Sequence, residues 1–272
     1  MTTPKLPITF LSDYGHQDDF VGVCHGVIQR TAPGALVIDL VHALPRHDVR
    51  TAALTLRNTL PYMPVGVHLA VVDPGVGTAR RAIALRASDG RLFVGPDNGL
   101  LSLAIAQSGG LEKSVDLRDS PYRLEPVSAT FQGRDIFAPV AAQLALGTPL
   151  EQVGEDFPSD ELVQLELPMV AIARGDLTAR ALYTDRFGNI QLNASADDMA
   201  TAGFTPEDPL RVEAGGVAAN ARYVSTFADA PARSLLVYVD SYGAIALAVN
   251  GGSAAAALGL TTGALVTLRS AE

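Results

Sequence analysis

Residues 68–81 read HLAVVDPGVGTARR, an apolar run followed at once by a glycine-rich turn. Four apolar residues in succession, at positions 69–72, predict a short strand that is covered on both faces. Asp73, Pro74 and the glycines after them predict a sharp turn, since proline lacks a backbone donor and glycine tolerates positive φ. A carboxylate is therefore expected at the carboxyl end of a buried strand, where ligands collect in open α/β sheets.

Two arginines close the same stretch, and a second apolar run at residues 82–85 follows them. Because successive side chains of a strand point to opposite faces, only one guanidinium can turn back toward Asp73. Asp73 and one of the two arginines, Arg80 or Arg81, are therefore candidates for a reaction centre, and a structural ion pair that closes the turn is the alternative interpretation. A dinucleotide-binding loop is less favoured, because Gly75 and Gly77 lack the third glycine of that fingerprint.

The composition is that of a globular protein with an acidic balance. The 272 residues are 48% hydrophobic and 18% charged, and the formal net charge is -9. No basic stripe is present in the sequence, so nucleic acid is not expected as a partner, because phosphate binding needs clustered lysine and arginine. A single cysteine, Cys24, excludes an internal disulfide and a multi-cysteine zinc site, and it fits a reducing compartment.

Targeting and membrane segments are not predicted. Residues 1–13 carry one lysine and a short apolar run that proline interrupts, unlike a signal peptide. No run approaches the roughly 18 apolar residues that predict a spanning helix. The sequence thus predicts a cytoplasmic protein that does not interact with membranes.

Strand and helix patterns alternate up to about residue 167. Such alternation predicts an α/β domain with a mostly parallel sheet covered by helices. Asp13 and Asp73 each follow a predicted strand, so both are expected along one sheet edge. Asp18 and Asp19 are expected in the first turn of the first helix. The predicted strands are residues 8–11, 37–40, 68–72, 82–85, 92–94 and 114–117, and the predicted helices are residues 20–28, 49–59, 100–107 and 136–146.

After residue 167 the pattern changes to short strands separated by turns rich in glycine, aspartate, asparagine and proline. This pattern predicts a smaller antiparallel β-barrel-like domain. The expected domains are therefore residues 1–167 and residues 168–272, joined by a short connection that contains Pro168.

Six motifs occur in order between residues 12 and 257. They are SDYG with HQDD and FVG, VVDPGVGTARR, FVGPDNGLL, TFQGRDIFAPVAA, DRFGNIQLN and DSYGAIALAVNGGSAA. In these motifs the chain resembles the S-adenosyl-L-methionine (SAM) hydroxide adenosyltransferases, the SAM hydrolases related to the fluorinating and chlorinating nucleoside halogenases. Each motif alone is a weak signal, but six in the same order make a specific match.

The resemblance implies a homotrimer in which SAM lies between one subunit's N-terminal domain and its neighbour's C-terminal domain. It implies that water cleaves SAM into adenosine and methionine, with no metal and no cofactor. Asp73 and Arg80 would hold the attacking water, and Asp13 would bind the ribose hydroxyls. The resemblance assigns the other substrate contacts to the C-terminal domain: Asp185 and Asn189 at the methionine amino group, Ser241 at its carboxylate and Asn250 at the adenine edge.

One catalytic position departs from the family's pattern. The hydrolases that this chain resembles have a histidine within TFHGRD, but here Gln132 occupies that place. Glutamine can hold water or orient Arg80 through hydrogen bonds, but it cannot titrate. Any proton-accepting role of the family's histidine is therefore missing.

Two other functions stay open at this point. A SAM-binding or nucleoside-binding protein would keep the cleft and lack turnover, since Gln132 replaces the histidine. A halide-using adenosyltransferase is less favoured, because the carboxylate of Asp73 would repel a halide. The fluorinating enzymes also carry a long insertion where this chain has only residues 86–91.

Overall fold

The computed structural model describes residues 5–271. Contacts between Cα atoms divide the chain into two units, Met1–Leu165 and Glu166–Glu272. The boundary expected from the sequence lies two residues later, between residues 167 and 168. The first unit is α/β and the second is a β-barrel, which confirms the predicted fold class.

Within residues 5–165, seven strands form one sheet in the order β2-β1-β3-β5-β4-β6-β7. They are β1 (Ile8–Ser12), β2 (Val37–Val41), β3 (Val67–Val71), β4 (Ala82–Ala87), β5 (Leu92–Pro96), β6 (Leu111–Asp116) and β7 (Glu155–Asp156). The pairs from β2 to β5 are parallel, and the pairs from β5 to β7 are antiparallel. Only β4 and β7 of this sheet therefore run against the common direction, as a mostly parallel sheet requires.

Helices pack on both faces of this sheet, because alternate residues of its strands point to opposite sides. Leu69 and Val71 of β3 belong to the core under the first and fourth helices, and Ala70 belongs to the core under the second and third. The helices are α1 (Phe20–Thr31), α2 (Val49–Thr59), α3 (Ser102–Gln107) and α4 (Ala138–Ala145). Among the helices of residues 5–271, none has the length and apolar character that crossing a bilayer requires.

The prediction that acidic residues occupy the first turn of α1 was wrong. Asp19 is the N-cap residue, its side chain makes no capping hydrogen bond, and Asp18 precedes it. The helix begins instead where Phe20 packs edge-on against Phe131, with ring centroids 5.0 Å apart.

Within residues 166–271, seven strands close into a barrel. Their order is β10-β14-β13-β12-β11-β15-β9, and β9 pairs with β10 to close the ring, while β8 extends from β9 outside it. Neighbours are antiparallel except β12 and β13, which are parallel. The elements are β8 (Ala171–Ala173), β9 (Asp176–Thr184), β10 (Ile190–Ser195), α5 (Ala196–Thr201), β11 (Pro209–Ala214), β12 (Val217–Tyr223), β13 (Leu235–Val239), β14 (Ala244–Val249), α6 (Ala254–Leu258) and β15 (Leu265–Ser270).

His68 of β3 is a fully buried titratable group in the sheet. Its Nδ1 lies 2.8 Å from Thr9 Oγ1, and burial lowers the pKa of His68 to about 4. Because an unfolded imidazole titrates near 6.5, folding favours the neutral ring. The resulting stability is present above pH 6.5 and is lost as the pH falls toward 4. A shift of this size corresponds to about 3 kcal/mol.

We therefore expect the free energy of unfolding to fall by about 3 kcal/mol more between pH 7 and pH 4 in the wild type than in His68→Asn. Asparagine keeps a polar partner for Thr9 but does not titrate. Urea unfolding at both pH values measures the difference. His47→Asn, at an exposed position, is the control and should keep the wild-type dependence. Equal pH dependence in the wild type and His68→Asn would contradict this assignment.

Candidate active site

A cleft of about 700 Å³ opens at the carboxyl ends of β1 and β3. These strands are parallel neighbours in which Ser12 lies opposite Val71. Asp13 follows β1 and Asp73 follows β3, so both carboxylates reach the same edge and line the cleft. The predicted placement of the two acidic strand ends is confirmed.

Asp73 and Arg80 form a nearly buried ion pair beside this cleft. Arg80 Nε donates to Asp73 Oδ1 at 3.1 Å, and Arg80 Nη2 donates to Asp73 Oδ2. The Asp73 side chain is only 6% exposed and the Arg80 side chain only 8%. Arg81 turns away and pairs with Asp97 at 3.0 Å, as strand alternation predicted. Burial raises the pKa of Asp73, and the Arg80 guanidinium opposes that rise.

Gln132 joins the pair from a distant part of the sequence. Its Oε1 accepts a hydrogen bond from Arg80 Nη2 at 2.6 Å. Gln132 lines the cleft and, together with Arg80, a second cavity of about 480 Å³. The structure thus brings the three predicted catalytic residues into one hydrogen-bonded set, in which Asp73 and Gln132 face the cleft and Arg80 holds them from behind.

Two glycines allow close contacts around the catalytic residues: Gly133, beside Gln132, approaches Tyr14, and Gly77, in the turn after Asp73, approaches Ala129. Gly133 opens the π-helical turn Gly133–Phe137, and a Cβ at Gly133 would lie 2.1 Å from Tyr14 Oη. Gly77, in the turn after Asp73, has φ +79°, and a Cβ there would lie 2.7 Å from the carbonyl oxygen of Ala129. Residues without side chains are needed at both points because a Cβ would push these segments apart.

Asp13 is held by one hydrogen bond and keeps free acceptor capacity. Its Oδ2 accepts from the backbone N–H of His47 at 2.8 Å. Since a carboxylate offers about four lone-pair sites, the others remain for two hydroxyl donors on a ligand. The geometry is therefore suited to binding a diol.

An aromatic cluster lines the cleft beside Asp13, and sequence reasoning did not single it out. The rings of Tyr14, Phe20 and Phe131 have centroids 5.0 to 5.9 Å apart. Burial raises the pKa of Tyr14 well above its ordinary value, so its hydroxyl stays protonated. The available signal was the presence of Tyr14 in SDYG and of Phe131 in TFQGRD.

A smaller pocket of about 230 Å³ lies in the C-terminal unit and is lined by Asp185, Asn189 and Ser241. Asp185 accepts hydrogen bonds from Phe187 N, Asn189 N and Asn189 Nδ2 at 2.8 to 2.9 Å. These bonds form an Asx-type turn, and they leave at least one carboxylate lone pair for a ligand. Three of the four predicted C-terminal residues therefore share one pocket.

Asn250 lies outside the lining of this pocket. Its Nδ2 donates to the carbonyl oxygens of Phe227 at 3.0 Å and Ala230 at 2.8 Å, which uses both amide hydrogens. The backbone N–H of Asn250 donates to the Ser234 carbonyl oxygen at 3.1 Å, and the side-chain amide oxygen keeps its capacity for a ligand. The role of Asn250 at an adenine edge stays a prediction.

Asp240 supplies a second carboxylate to the C-terminal pocket, and sequence reasoning did not identify it. Its Oδ1 accepts two backbone N–H groups, from Tyr242 at 2.8 Å and Ala244 at 3.0 Å, so its turn has the form of the turn at Asp185. The available signal was the repeated spacing of aspartate and glycine in DRFG and DSYG.

Three tyrosines, Tyr183, Tyr238 and Tyr242, also line the same pocket. Burial and the neighbouring carboxylates of Asp240 and Asp185 raise the pKa values of Tyr183 and Tyr238 to about 12. Both hydroxyls are therefore protonated near neutral pH. Two carboxylates beside two hydroxyl donors suit a ligand that carries both an ammonium and a carboxylate group.

Comparisons with known proteins agree over nearly all of the chain. The SAM hydroxide adenosyltransferase N-terminal domain matches residues 8–154, and the C-terminal domain of the same family matches residues 179–267. A protein of Salinispora tropica named (R)-S-adenosyl-L-methionine hydrolase is 51% identical over 260 residues, which are 96% of each chain. A protein of Actinoplanes sp. named fluorinase is 30% identical over an alignment of 291 positions, which covers 97% of each chain.

The fold agrees with a solved structure as well. The crystal structure of an uncharacterized conserved protein from Thermotoga maritima matches with a TM-score of 0.90 and 35% sequence identity, covering 96% of this chain and 99% of that one. Both halves of the family pattern are present, and their polar residues line the clefts described above. The chain belongs to the SAM hydroxide adenosyltransferase family.

Proposed function

We propose that this protein hydrolyses SAM to adenosine and L-methionine. The observation that carries the proposal is the hydrogen-bonded set of Asp73, Arg80 and Gln132 beside a cleft that Asp13 also lines. The Arg80 guanidinium holds the Asp73 carboxylate and the Gln132 amide at the wall of the cleft. Both groups can position a water molecule, and the carboxylate can accept its proton. The hydrolase relative that is 51% identical supports SAM as the substrate.

The proposed reaction is an in-line displacement at C5′ of SAM. The water oxygen attacks C5′, and the electron pair of the C5′–S bond leaves with sulfur, which converts the sulfonium into the neutral thioether of methionine. The proton of the water passes to Asp73 and then to solvent. Arg80 occupies one lone pair on each oxygen of Asp73, so another remains to accept from the water. The sulfonium is an activated leaving group, and the step therefore needs no metal or redox cofactor.

Substrate binding is proposed to use both units. In the cleft, Asp13 accepts hydrogen bonds from the two ribose hydroxyls, and the aromatic cluster offers an apolar wall beside them. In the C-terminal pocket, Asp185 and Asn189 meet the methionine ammonium and Ser241 donates to its carboxylate. A cleft that excludes bulk water favours the reaction, because the cationic sulfonium and the hydroxide-like nucleophile lose charge together.

Product analysis in ¹⁸O-labelled water tests the proposed reaction. The protein is incubated with SAM, and adenosine and methionine are quantified by chromatography and mass spectrometry. Equal amounts of both products, with ¹⁸O in the 5′-hydroxyl of adenosine, are expected. Label in methionine, or cleavage without adenosine, would contradict attack of water at C5′.

Two further measurements separate the two other functions. Tight SAM binding by calorimetry without product formation would indicate a SAM-binding protein. Formation of 5′-chloro-5′-deoxyadenosine in chloride buffer would indicate a halide-using enzyme, although the Asp73 carboxylate beside the cleft argues against an anionic nucleophile.

We propose further that the protein acts as a cytoplasmic homotrimer in which the C-terminal pocket of one subunit completes the site of its neighbour. The resemblance to the family supports this arrangement. Mixing two inactive variants tests it, after partial dissociation and reassembly. A mixture of Asp73→Asn and Asp185→Ala chains is expected to regain activity. In a mixed oligomer, the intact N-terminal cleft of an Asp185→Ala subunit can meet the intact C-terminal pocket of an Asp73→Asn subunit. No recovery in a mixed oligomer would contradict a site shared between subunits.

Gln132→His is expected to raise the hydrolysis rate by about tenfold or more, because histidine adds a group that can accept a proton. The variant should also gain a pH dependence, with the rate rising as the imidazole loses its proton. Its ordinary pKa near 6.5 sets the approximate range, and the adjacent Arg80 should lower it. Measurement of kcat from pH 5 to pH 8 compares the variant with the wild type.

Gln132→Met is the matched control for the histidine variant. Methionine has a similar length but offers no good acceptor for Arg80 Nη2, so its kcat should fall. A histidine variant no faster than the wild type, together with an unchanged methionine variant, would show that Gln132 does not orient the catalytic pair.

A further inference from the structure

Two histidines and an aspartate converge at the edge of the N-terminal sheet, outside the lining of the cleft. His25 lies on α1, Asp39 lies on β2 and His42 follows β2 directly. Across residues 5–271 they form the one group of three such side chains whose donor atoms all lie within 4.8 Å of one another. The Nε2 atoms of His25 and His42 lie 2.9 and 3.1 Å from Asp39 Oδ1.

His42 Nε2 is the atom that indicates a missing ligand. The side chain is fully buried, and its contact with Asp39 Oδ1 lacks hydrogen-bond geometry, so Nε2 has no hydrogen-bond partner. A buried polar nitrogen without a partner is costly and calls for an explanation. A cation between the nitrogen and the carboxylate would satisfy both.

The spacing of the three atoms fits a small transition-metal ion. Ligand atoms about 2.0–2.1 Å from a tetrahedral zinc ion lie roughly 3.3 Å apart. The two separations from Asp39 Oδ1, 2.9 and 3.1 Å, are close to this value, and the two imidazole nitrogens lie within 4.8 Å of each other. The side chains of His25 and Asp39 are 31% and 45% exposed, which leaves an open side for a water ligand.

The surroundings prepare His42 as a ligand. Ser12 Oγ lies 2.7 Å from His42 Nδ1 and fixes the ring. Such a second hydrogen bond typically orients a metal-binding histidine.

We propose that His25, Asp39 and His42 bind a divalent ion of the zinc class, with water in the remaining position. Two imidazoles and one carboxylate form a ligand set that such ions prefer over magnesium or calcium. The ion has no part in the proposed reaction. The bound ion stabilises the loop that carries Asp13, because His42 is connected to that loop at two points. His42 Nδ1 contacts Ser12 Oγ, and the backbone carbonyl of His42 accepts from Gly15 N at 2.7 Å.

Titration with Co²⁺ tests the site, since its visible absorption reports coordination directly. Protein without an affinity tag is treated with a chelator, desalted and titrated with Co²⁺, and Zn²⁺ is then added as a competitor. One equivalent of Co²⁺ should bind with the spectrum of a four- or five-coordinate ion, and Zn²⁺ should displace it. The same ions should raise the melting temperature of the protein.

His25→Gln and Asp39→Asn are the informative variants, because both side chains reach the surface and their loss should leave the fold intact. Each should weaken Co²⁺ binding at least tenfold and abolish the shift in melting temperature. His47→Gln removes a histidine outside the cluster and should bind as the wild type does. Absence of stoichiometric binding in the wild type, or equal binding in His25→Gln, would overturn the proposal. SAM takes no part in these measurements, so they stand apart from the proposed hydrolysis.

Discussion

Asp73→Asn is expected to lower kcat for adenosine formation by about 10²- to 10⁴-fold. Asparagine has nearly the same shape, but it cannot accept the proton of the attacking water. SAM binding should change little, because the ribose and methionine contacts are assigned to other residues. Initial rates of adenosine release at saturating SAM measure the effect, and calorimetry checks that the substrate still binds.

The same substitution also affects stability, so it needs a matched control. Arg80 would be left charged and without its carboxylate partner at 8% exposure, which typically costs about 3–5 kcal/mol. Asp97→Asn removes one of the two carboxylate partners of Arg81, the other being Glu161, and the Arg81–Asp97 pair lies outside the lining of the cleft. It should reduce the free energy of unfolding and leave kcat near the wild-type value. A similar loss of kcat in both variants would mean that Asp73 acts through stability alone.

Arg80→Ala is expected to lower kcat at least 10²-fold and to move the acid limb of the pH–rate profile to higher pH. Burial raises the pKa of Asp73, and the Arg80 guanidinium opposes this effect, so its removal raises that pKa further. Only ionised Asp73 can accept a proton, and activity should therefore appear only at higher pH than in the wild type. Profiles of kcat against pH for both proteins measure the shift.

The stability of Arg80→Ala should depend on pH in a way that Asp73→Asn does not. A buried carboxylate can neutralise itself by binding a proton, but a guanidinium stays charged. Because the folded pKa of Asp73 is raised, its contribution to stability is present below the unfolded value of 3.8 and is lost as the pH rises through the folded value. An unchanged acid limb in Arg80→Ala would contradict the proposed coupling.

Arg80→Lys and a double variant complete this test. Lysine restores the charge but cannot hold Asp73 through two bonds and Gln132 through a third, so its kcat should lie between those of the alanine variant and the wild type. The double variant of Asp73→Asn and Arg80→Ala should lose little more than either single variant, since residues that act as a unit are not additive.

Much of the N-terminal site followed from local pattern. The apolar runs before Asp13 and Asp73 predicted strands, and neighbouring parallel strands brought both carboxylates to one edge. Alternation separated Arg80 from Arg81, and the structure pairs the first with Asp73 and the second with Asp97. Gln132 was different, because it was identified through the family motif and not through periodicity.

The C-terminal site was predicted less completely. The motif DRFGN identified Asp185 and Asn189, and the structure places both in one pocket with Ser241. Asp240 was missed, although its turn repeats that of Asp185. The pocket forms because β14 lies between β10 and β13 in the closed barrel, an order that the chain does not follow.

Local periodicity in the chain was sufficient for the two fold classes, the strand ends and the opposite directions of the two arginines, because these depend on residues that are close in sequence. Tertiary packing alone determined that Gln132 contacts Arg80 across 52 residues and that His25 on α1 meets Asp39 and His42 beside β2. Such contacts depend on how a helix is rotated and placed against its sheet, and that placement is set by the whole core rather than by any one segment.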